Sequence, residues 1–160
     1  MSTERSVAQI ALFTALIAAL GLIPQLTLAF GVPITAQSLG VMLCGTVLGA
    51  KRGGFAALLF VGLVAVGLPL LAGGRGGLGL FASPTAGFLI GFPVAAFFGG
   101  VIVLYAFGIA GLSIVLDRSL GEAALLVTAF LPGDVIKAVL AALITAALVR
   151  ARPGAVLSRS

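Results

Sequence analysis

Apolar residues run along this chain in long unbroken stretches, and the polar residues gather in short clusters between them. The stretches are continuous rather than alternating, which predicts helices and excludes the strands of a β-barrel. The first extends from Val7 to about Ile23, where Pro24 and then Gly31-Val32-Pro33 mark a turn or broken segment. The second runs from Ile34 to Gly49 and stops at Lys51-Arg52-Gly53-Gly54, which reads as a short basic hairpin. Phe55 to Leu71 forms the third, ended by Pro69 and the loop Ala72-Gly73-Gly74-Arg75-Gly76-Gly77, with a return stretch from Leu78 to Ser83. From Pro84 to Leu116 the chain stays apolar for a length that is excessive for one span and short for two. A turn at Gly99-Gly100 would divide it into two short helices. The last stretch, Ala123 to Val149, is interrupted by Pro132-Gly133.

Composition turns these helices into membrane spans. With 61% hydrophobic and only 8% charged residues, and a mean hydropathy of +1.33, the chain carries more apolar surface than a soluble domain of 160 residues can bury, so lipid is part of its solvent. A helix needs about 20 apolar residues to cross a bilayer core about 30 Å thick. The expected fold is a single all-α transmembrane domain over residues 1–160. It is a bundle of about six helices with spans near 7–23, 34–49, 55–71, 84–98, 101–116 and 123–149, the fourth and fifth shortened or re-entrant.

Charge orients the bundle. With six spans and a cytoplasmic N-terminus, Arg5, Lys51, Arg52 and the tail residues Arg150, Arg152 and Arg159 all lie inside, and the outer loops hold Arg75 and the cluster Asp117, Arg118 and Glu122. Five spans would send the tail arginines outside. Arg5 ahead of an apolar run imitates a secretory signal, but the run is long for a signal core and more spans follow, so a retained first helix is expected. The net charge of +5 sits at the ends of apolar stretches and not in a stripe interleaved with aromatics, so nucleic acid is not expected as a partner. Cys44 has no second cysteine to pair with and histidine is absent, which removes disulfides, a cysteine metal cluster and the usual general base.

Few residues remain that could carry chemistry. In Pro132-Gly133-Asp134-Val135-Ile136-Lys137, Asp134 and Lys137 stand three apart and so share a helix face. A charge at mid-bilayer costs about 2.5 to 3.5 kcal/mol, so the pair either joins helices structurally or lines a pocket, offering an acceptor and a donor to a polar ligand. Pro132-Gly133 fits a helix N-terminus whose dipole favours an ionised Asp134. Gly73 to Gly77 reads as a flexible lid carrying Arg75 over an anion, or as a plain connection; the G-x-G-x-x-G spacing it contains lacks the strand a dinucleotide site requires. Thr35 and Gln37 open the second run, where Gln37 must find a partner in the protein or in a ligand. Ala11, Ala15 and Ala19 form a smooth stripe on which another helix could pack, though the spacing is common in alanine-rich helices. The echo between Pro33-Ile34-Thr35-Ala36 and Pro84-Thr85-Ala86 is too short to support an inverted repeat. A Walker loop, a Ser/His/Asp set, a zinc motif and a carboxylate pair are all missing from the sequence, so an enzyme is not expected.

Taken together, Val32-Pro33-Ile34-Thr35-Ala36-Gln37-Ser38-Leu39-Gly40, Gly67-Leu68-Pro69 with Ala72 to Gly77, Pro84-Thr85-Ala86-Gly87-Phe88 and Phe130 to Lys137 resemble the BioY family, the biotin-specific S components of energy-coupling factor transporters. The resemblance covers most of the chain. It implies six membrane helices, a biotin pocket near the outer surface, and partnership with a transmembrane coupling subunit and ATPases, although some members occur without them. By position it implies that Asp134 and Lys137 bind biotin, that Arg75 holds a lid position, and that Ala11 and Ala15 dock on the coupling subunit; Arg75, Gly74, Gly76, Gln37 and Thr35 are expected to bind biotin with the pair, and Ala19 to extend the docking stripe. No cofactor is implied beyond ATP used by the partners. Against the family pattern, Phe97-Phe98-Gly99-Gly100-Val101 runs straight on where a connection of roughly twenty to thirty further residues is expected. A structural or assembly subunit with no small-molecule ligand is the alternative reading.

Overall fold

The computed structural model describes residues 3–98 and 100–159. Its first helix, α1 (Thr3–Leu20), stops four residues before Pro24. A minimal antiparallel pair follows, β1 (Leu26–Thr27) against β2 (Pro33–Ile34), so the stretch around Gly31 is a tight excursion and not part of a span. Helix α2 (Gln37–Leu43) continues as one π-helical turn through Leu48.

The chain reverses at Gly49, whose φ of +79° lies in the left-handed region that favours glycine, and α3 (Ala50–Ala65) begins at once. Lys51-Arg52-Gly53-Gly54 is therefore helical, not the hairpin the sequence suggests. The reason is packing. A Cβ on Gly53 would lie 2.4 Å from the Cys44 carbonyl oxygen, and one on Gly54 would lie 3.3 Å from the Phe97 ring, so Gly53 brings α3 against the π turn, Gly54 faces the end of the helix that carries Phe97, and neither is a loop residue.

After α3 come the turn at 72–77, a 3-10 segment (Leu78–Ala82), and then α4 (Ala86–Phe98) and α5 (Val101–Val115). The long apolar stretch thus divides as two short helices, with Gly100 capping α5 and Gly99 outside the described residues. They pack as an antiparallel hairpin at backbone distance. A Cβ on Gly111 would meet the Gly87 Cα at 2.5 Å, one on Gly91 the Phe107 Cβ at 2.9 Å, and one on Gly108 the Phe88 ring. Gly87 and Gly91 are spaced by four, the small-residue pattern that lets apolar helices approach closely.

Asp117, with φ of 51°, ends α5, and Ser119 starts α6 (Leu120–Val127) with a capping box closed by Glu122. A 3-10 turn at 128–130 leads without a change of course into α7 (Leu131–Ala151), where Pro132 sits in the first turn. The described chain is thus six helical rods: α1, α2 with its π turn, α3, α4, α5, and α6–α7. The rods α1 and α6–α7 are both long and apolar enough to cross a membrane, while α2 with its π turn, α4 and α5 are shorter and apolar.

The core runs through the centre of the bundle. Ile17 on α1, Phe60 on α3, Leu89 on α4 and Leu112 on α5 are all fully buried. Thr14 ties α1 to α3 by donating to the Ala56 carbonyl at 2.9 Å. Large apolar side chains also face outward, among them Ile102 and Leu22, each more than 80% exposed. The start of α1, the Gly49 corner and the tail at Leu157–Ser158 meet at one end of the bundle, and the 72–77 turn, the start of α4 and the end of α5 are at the other.

Candidate functional site

Near the end that carries the 72–77 turn, α2, α4, α5 and α7 converge on a pocket. Asp134, in the first turn of α7, is 5% exposed. Its Oδ1 accepts from Lys137 Nζ at 2.8 Å, one helical turn on, and from Ser38 Oγ on α2 at 3.3 Å. Its Oδ2 accepts from the Tyr105 hydroxyl on α5 at 2.8 Å. Lys137 also donates to Ser38 Oγ, at 3.0 Å. One carboxylate thus draws three rods together, and both of its oxygens are engaged. Burying a charge in this way is tolerable only because an opposite charge and hydroxyl donors surround it.

The cluster is not saturated. An ammonium has three N–H donors, of which Lys137 directs one at Asp134 and one at Ser38, leaving one on a side chain that lines the pocket. Phe88 and Phe92 of α4, Leu104 of α5 and Phe130 from the 3-10 turn supply an apolar wall, with the Phe88 and Phe130 rings in contact at a centroid separation of 5.4 Å.

The second polar group is Arg75, half-buried on the turn that closes the pocket. This turn is not a loose lid. Leu71 and Arg75 exchange backbone hydrogen bonds at 3.0 and 3.2 Å, and Gly73 and Gly74 both take positive φ to close it. Arg75 Nε donates to the Ala72 carbonyl at 3.1 Å and its Nη1 to Thr85 Oγ1 at 3.2 Å. Burial pulls its pKa down from the usual arginine value, but guanidinium stays charged in proteins. The pocket therefore has an aromatic middle, with a cation on the turn and an ion pair on α7.

The structure places the residues singled out from the sequence differently from one another. Asp134, Lys137, Arg75, Thr35 and Gln37 all line this pocket. Gln37, however, is buried with its amide engaged by backbone: Nε2 donates to the Ile17 and Leu70 carbonyls at 3.2 and 2.9 Å, and Oε1 accepts from Ala72 N at 3.0 Å. It ties α1, α2 and the turn together and contributes wall, not spare donors. Thr35 Oγ1 accepts from Gln37 N at 3.3 Å. Gly74 and Gly76 do not line the pocket. Gly74 shapes the turn, and Gly76 is pressed against Leu68, whose carbonyl oxygen a Cβ would meet at 2.2 Å. Ala11, Ala15 and Ala19 all face outward on α1. Three groups of the site were not singled out from sequence: Ser38 and Thr85, which line the pocket, and Tyr105, which donates to Asp134 from outside the lining. The signal for the last is that it is the chain's single tyrosine, and a phenol in an apolar run must find a partner.

The chain as a whole is similar to known proteins. The BioY family's sequence profile matches residues 1–103 and 96–154. The chain is 46% identical over 188 aligned positions to the biotin transporter BioY of Rhodobacter capsulatus, covering 98% of this chain and 99% of that protein. It is 49% identical to the biotin transporter BioY of Rhizobium etli, with 96% and 97% covered. It superimposes with a TM-score of 0.87 and 29% identity on the crystal structure of the S-component for biotin from an ECF-type ABC transporter, covering 94% of this chain and 95% of that one. An alignment of 188 positions against 160 residues leaves at least 28 without a counterpart here. The two profile matches meet at 96–103, the tip of the α4–α5 hairpin. These relatives are transporters and not enzymes. By profile, sequence and fold alike, this chain belongs to the BioY family.

Proposed function

We propose that the protein binds biotin in the pocket between α2, α4, α5 and α7 and serves its uptake across the cell membrane, as the substrate-binding S component of an energy-coupling factor transporter or alone. The observation that carries this reading is a buried carboxylate–ammonium pair with hydrogen-bonding capacity left over, set in the wall of an aromatic-lined pocket. Biotin offers ureido N–H donors, a ureido carbonyl and a carboxylate. Asp134 supplies an acceptor and Lys137 a donor at one side of the pocket, and Arg75 supplies a cation on the turn. Thr35 and Gln37 belong to the wall, and Gly74 and Gly76 to the turn that carries Arg75.

The pocket encloses about 50 Å³, whereas sites for drug-sized ligands run from roughly 300 Å³ upward. Entry therefore requires the 72–77 turn to swing outward, breaking the bond from Arg75 to Thr85, and closure restores it over the ligand. Biotin enters from the side where this turn lies. In the proposed orientation the six rods span the bilayer with both termini in the cytoplasm, which places Lys51, Arg52 and the tail arginines inside. Ala11, Ala15 and Ala19, all outward-facing, form the surface for a coupling subunit. The chain itself uses no cofactor, and ATP is hydrolysed by ATPase subunits.

Equilibrium binding of labelled biotin to detergent-purified protein tests the proposal. Saturable binding is expected, weakened at least tenfold, about 1.4 kcal/mol, by Asp134→Asn and by Lys137→Ala. Unchanged affinity with lowered thermal stability would instead support a structural pair in an assembly subunit that has no ligand.

A further inference from the structure

At the opposite end of the bundle from the biotin pocket, two recesses share a wall. One, about 600 Å³, lies between the start of α1, the Gly49 corner and the C-terminal tail, and is lined by Ser6, Lys51 and Arg52. The other, about 420 Å³, lies between α3 and the tip of the α4–α5 hairpin and is lined almost entirely by apolar side chains, including Leu58, Pro93, Phe97 and Phe98. Lys51 and Phe55 border both. We infer that the joined recesses hold one anionic phospholipid, its phosphate at Lys51 and Arg52 and an acyl chain along the groove between α3 and α4.

Charge and shape both support this occupant. Among the described residues no carboxylate forms an ion pair with Lys51 or Arg52. Arg52 Nε donates to Ser6 Oγ at 3.3 Å, which fixes the guanidinium at the rim with its remaining N–H groups available to phosphate oxygens. The groove beside it presents Phe55, Leu58 and Phe98, each more than half exposed, a wall that suits a hydrocarbon chain and no soluble anion. The shortened hairpin adds to the fit. At 13 and 15 residues and 1.5 Å per residue, its helices are only about 20 Å long, less than a bilayer core of about 30 Å, which leaves acyl chains as the filling around its tip. A basic cluster beside a membrane attracts anionic lipid at about fivefold per cation.

The inference rests on the membrane placement proposed above. That placement is read separately, by whether the full-length chain stays with the membrane fraction until detergent is added. The inference itself is tested on purified full-length protein by native mass spectrometry with phosphatidylglycerol and phosphatidylcholine of matched chains. Phosphatidylglycerol is expected to bind at least fivefold better. The double variant Lys51→Ala/Arg52→Ala should abolish that preference, and Leu58→Trp, which fills the groove and leaves both cations, should weaken phosphatidylglycerol at least threefold. Biotin affinity, unchanged in both variants, serves as the folding control. Equal binding of the two lipids by the native protein would overturn the site. Undiminished phosphatidylglycerol binding in Leu58→Trp would also overturn it, by reducing the effect to general attraction between a basic surface and anionic lipid.

Discussion

Two buried polar clusters lie on α2, one residue apart, and they are built to opposite ends. At Gln37 every hydrogen-bonding atom of the amide meets a backbone group, of α1, of Leu70 or of the turn. At Ser38 the hydroxyl joins Asp134 and Lys137, a cluster with donors in excess of the partners that surround it. A closed polar cluster holds a fold together, whereas one with capacity left over is prepared for something that comes and goes. Lipid is as apolar as leucine, so packing and such hydrogen bonds carry the cohesion of a membrane bundle. In the proposed function the Gln37 cluster accordingly holds the fold and the Asp134 cluster receives the ligand.

Breaking the closed cluster should have the larger effect. Gln37→Leu strips partners from Ile17, Leu70 and Ala72, at about 1 kcal/mol or more each, so a loss of about 3 kcal/mol in stability is expected in detergent unfolding. The fraction that remains folded should bind biotin within threefold of the native protein. A collapse of affinity at unchanged stability would reverse the roles assigned to the two clusters.

Opening the second cluster should give the converse. Removing one member of the ion pair weakens biotin tenfold or more, and the milder Tyr105→Phe, which takes one donor from Asp134 Oδ2, should cost about 1 kcal/mol, near fivefold in affinity by calorimetry. An unaltered titration would show that Tyr105 serves packing alone.

The smallest effect is expected at a polar group outside both clusters. Glu122 closes the cap of α6 at the surface, and the bonds it accepts from Ser119, backbone first, hold its carboxyl below the usual carboxylate range, with Arg118 contributing less. A depressed folded pKa means that the cap's contribution is present above the unfolded value, about 4.3, and is lost as pH falls through the folded one. Acid melting profiles of the native protein and Glu122→Gln should therefore differ near neutrality and converge below pH 4. Parallel profiles would remove the cap from the account.

Much of the fold was legible because apolar runs long enough for helices leave few alternatives, and the break in the run from Pro84 to Leu116 was marked by its glycines. The register of glycine was not legible. Gly53-Gly54 looks like a loop in sequence and is an interhelical contact in space, decided by neighbours distant in sequence, the Cys44 carbonyl at Gly53 and the Phe97 ring at Gly54. At the site, Asp134 and Lys137 stood out through the cost of charge in an apolar run. Ser38, 96 residues from Asp134, and Tyr105, 29 residues away, became its partners only through the packing of separate rods, a relation that no local pattern records. The 72–77 loop was read as flexible from its glycines, yet the same glycines provide the positive φ angles that lock it as a turn.

The decisive measurement is biotin binding by the charge-reversed pair, Asp134→Lys/Lys137→Asp, alongside its unfolding in detergent. The exchange keeps an ion pair one helical turn apart while inverting what the pocket presents to a ligand. We expect a folded protein, less stable than the native chain through the loss of the Tyr105 and Ser38 bonds to Asp134, with affinity reduced at least a hundredfold. Retained binding would contradict the assignment of the pair to biotin and leave it a joint between helices.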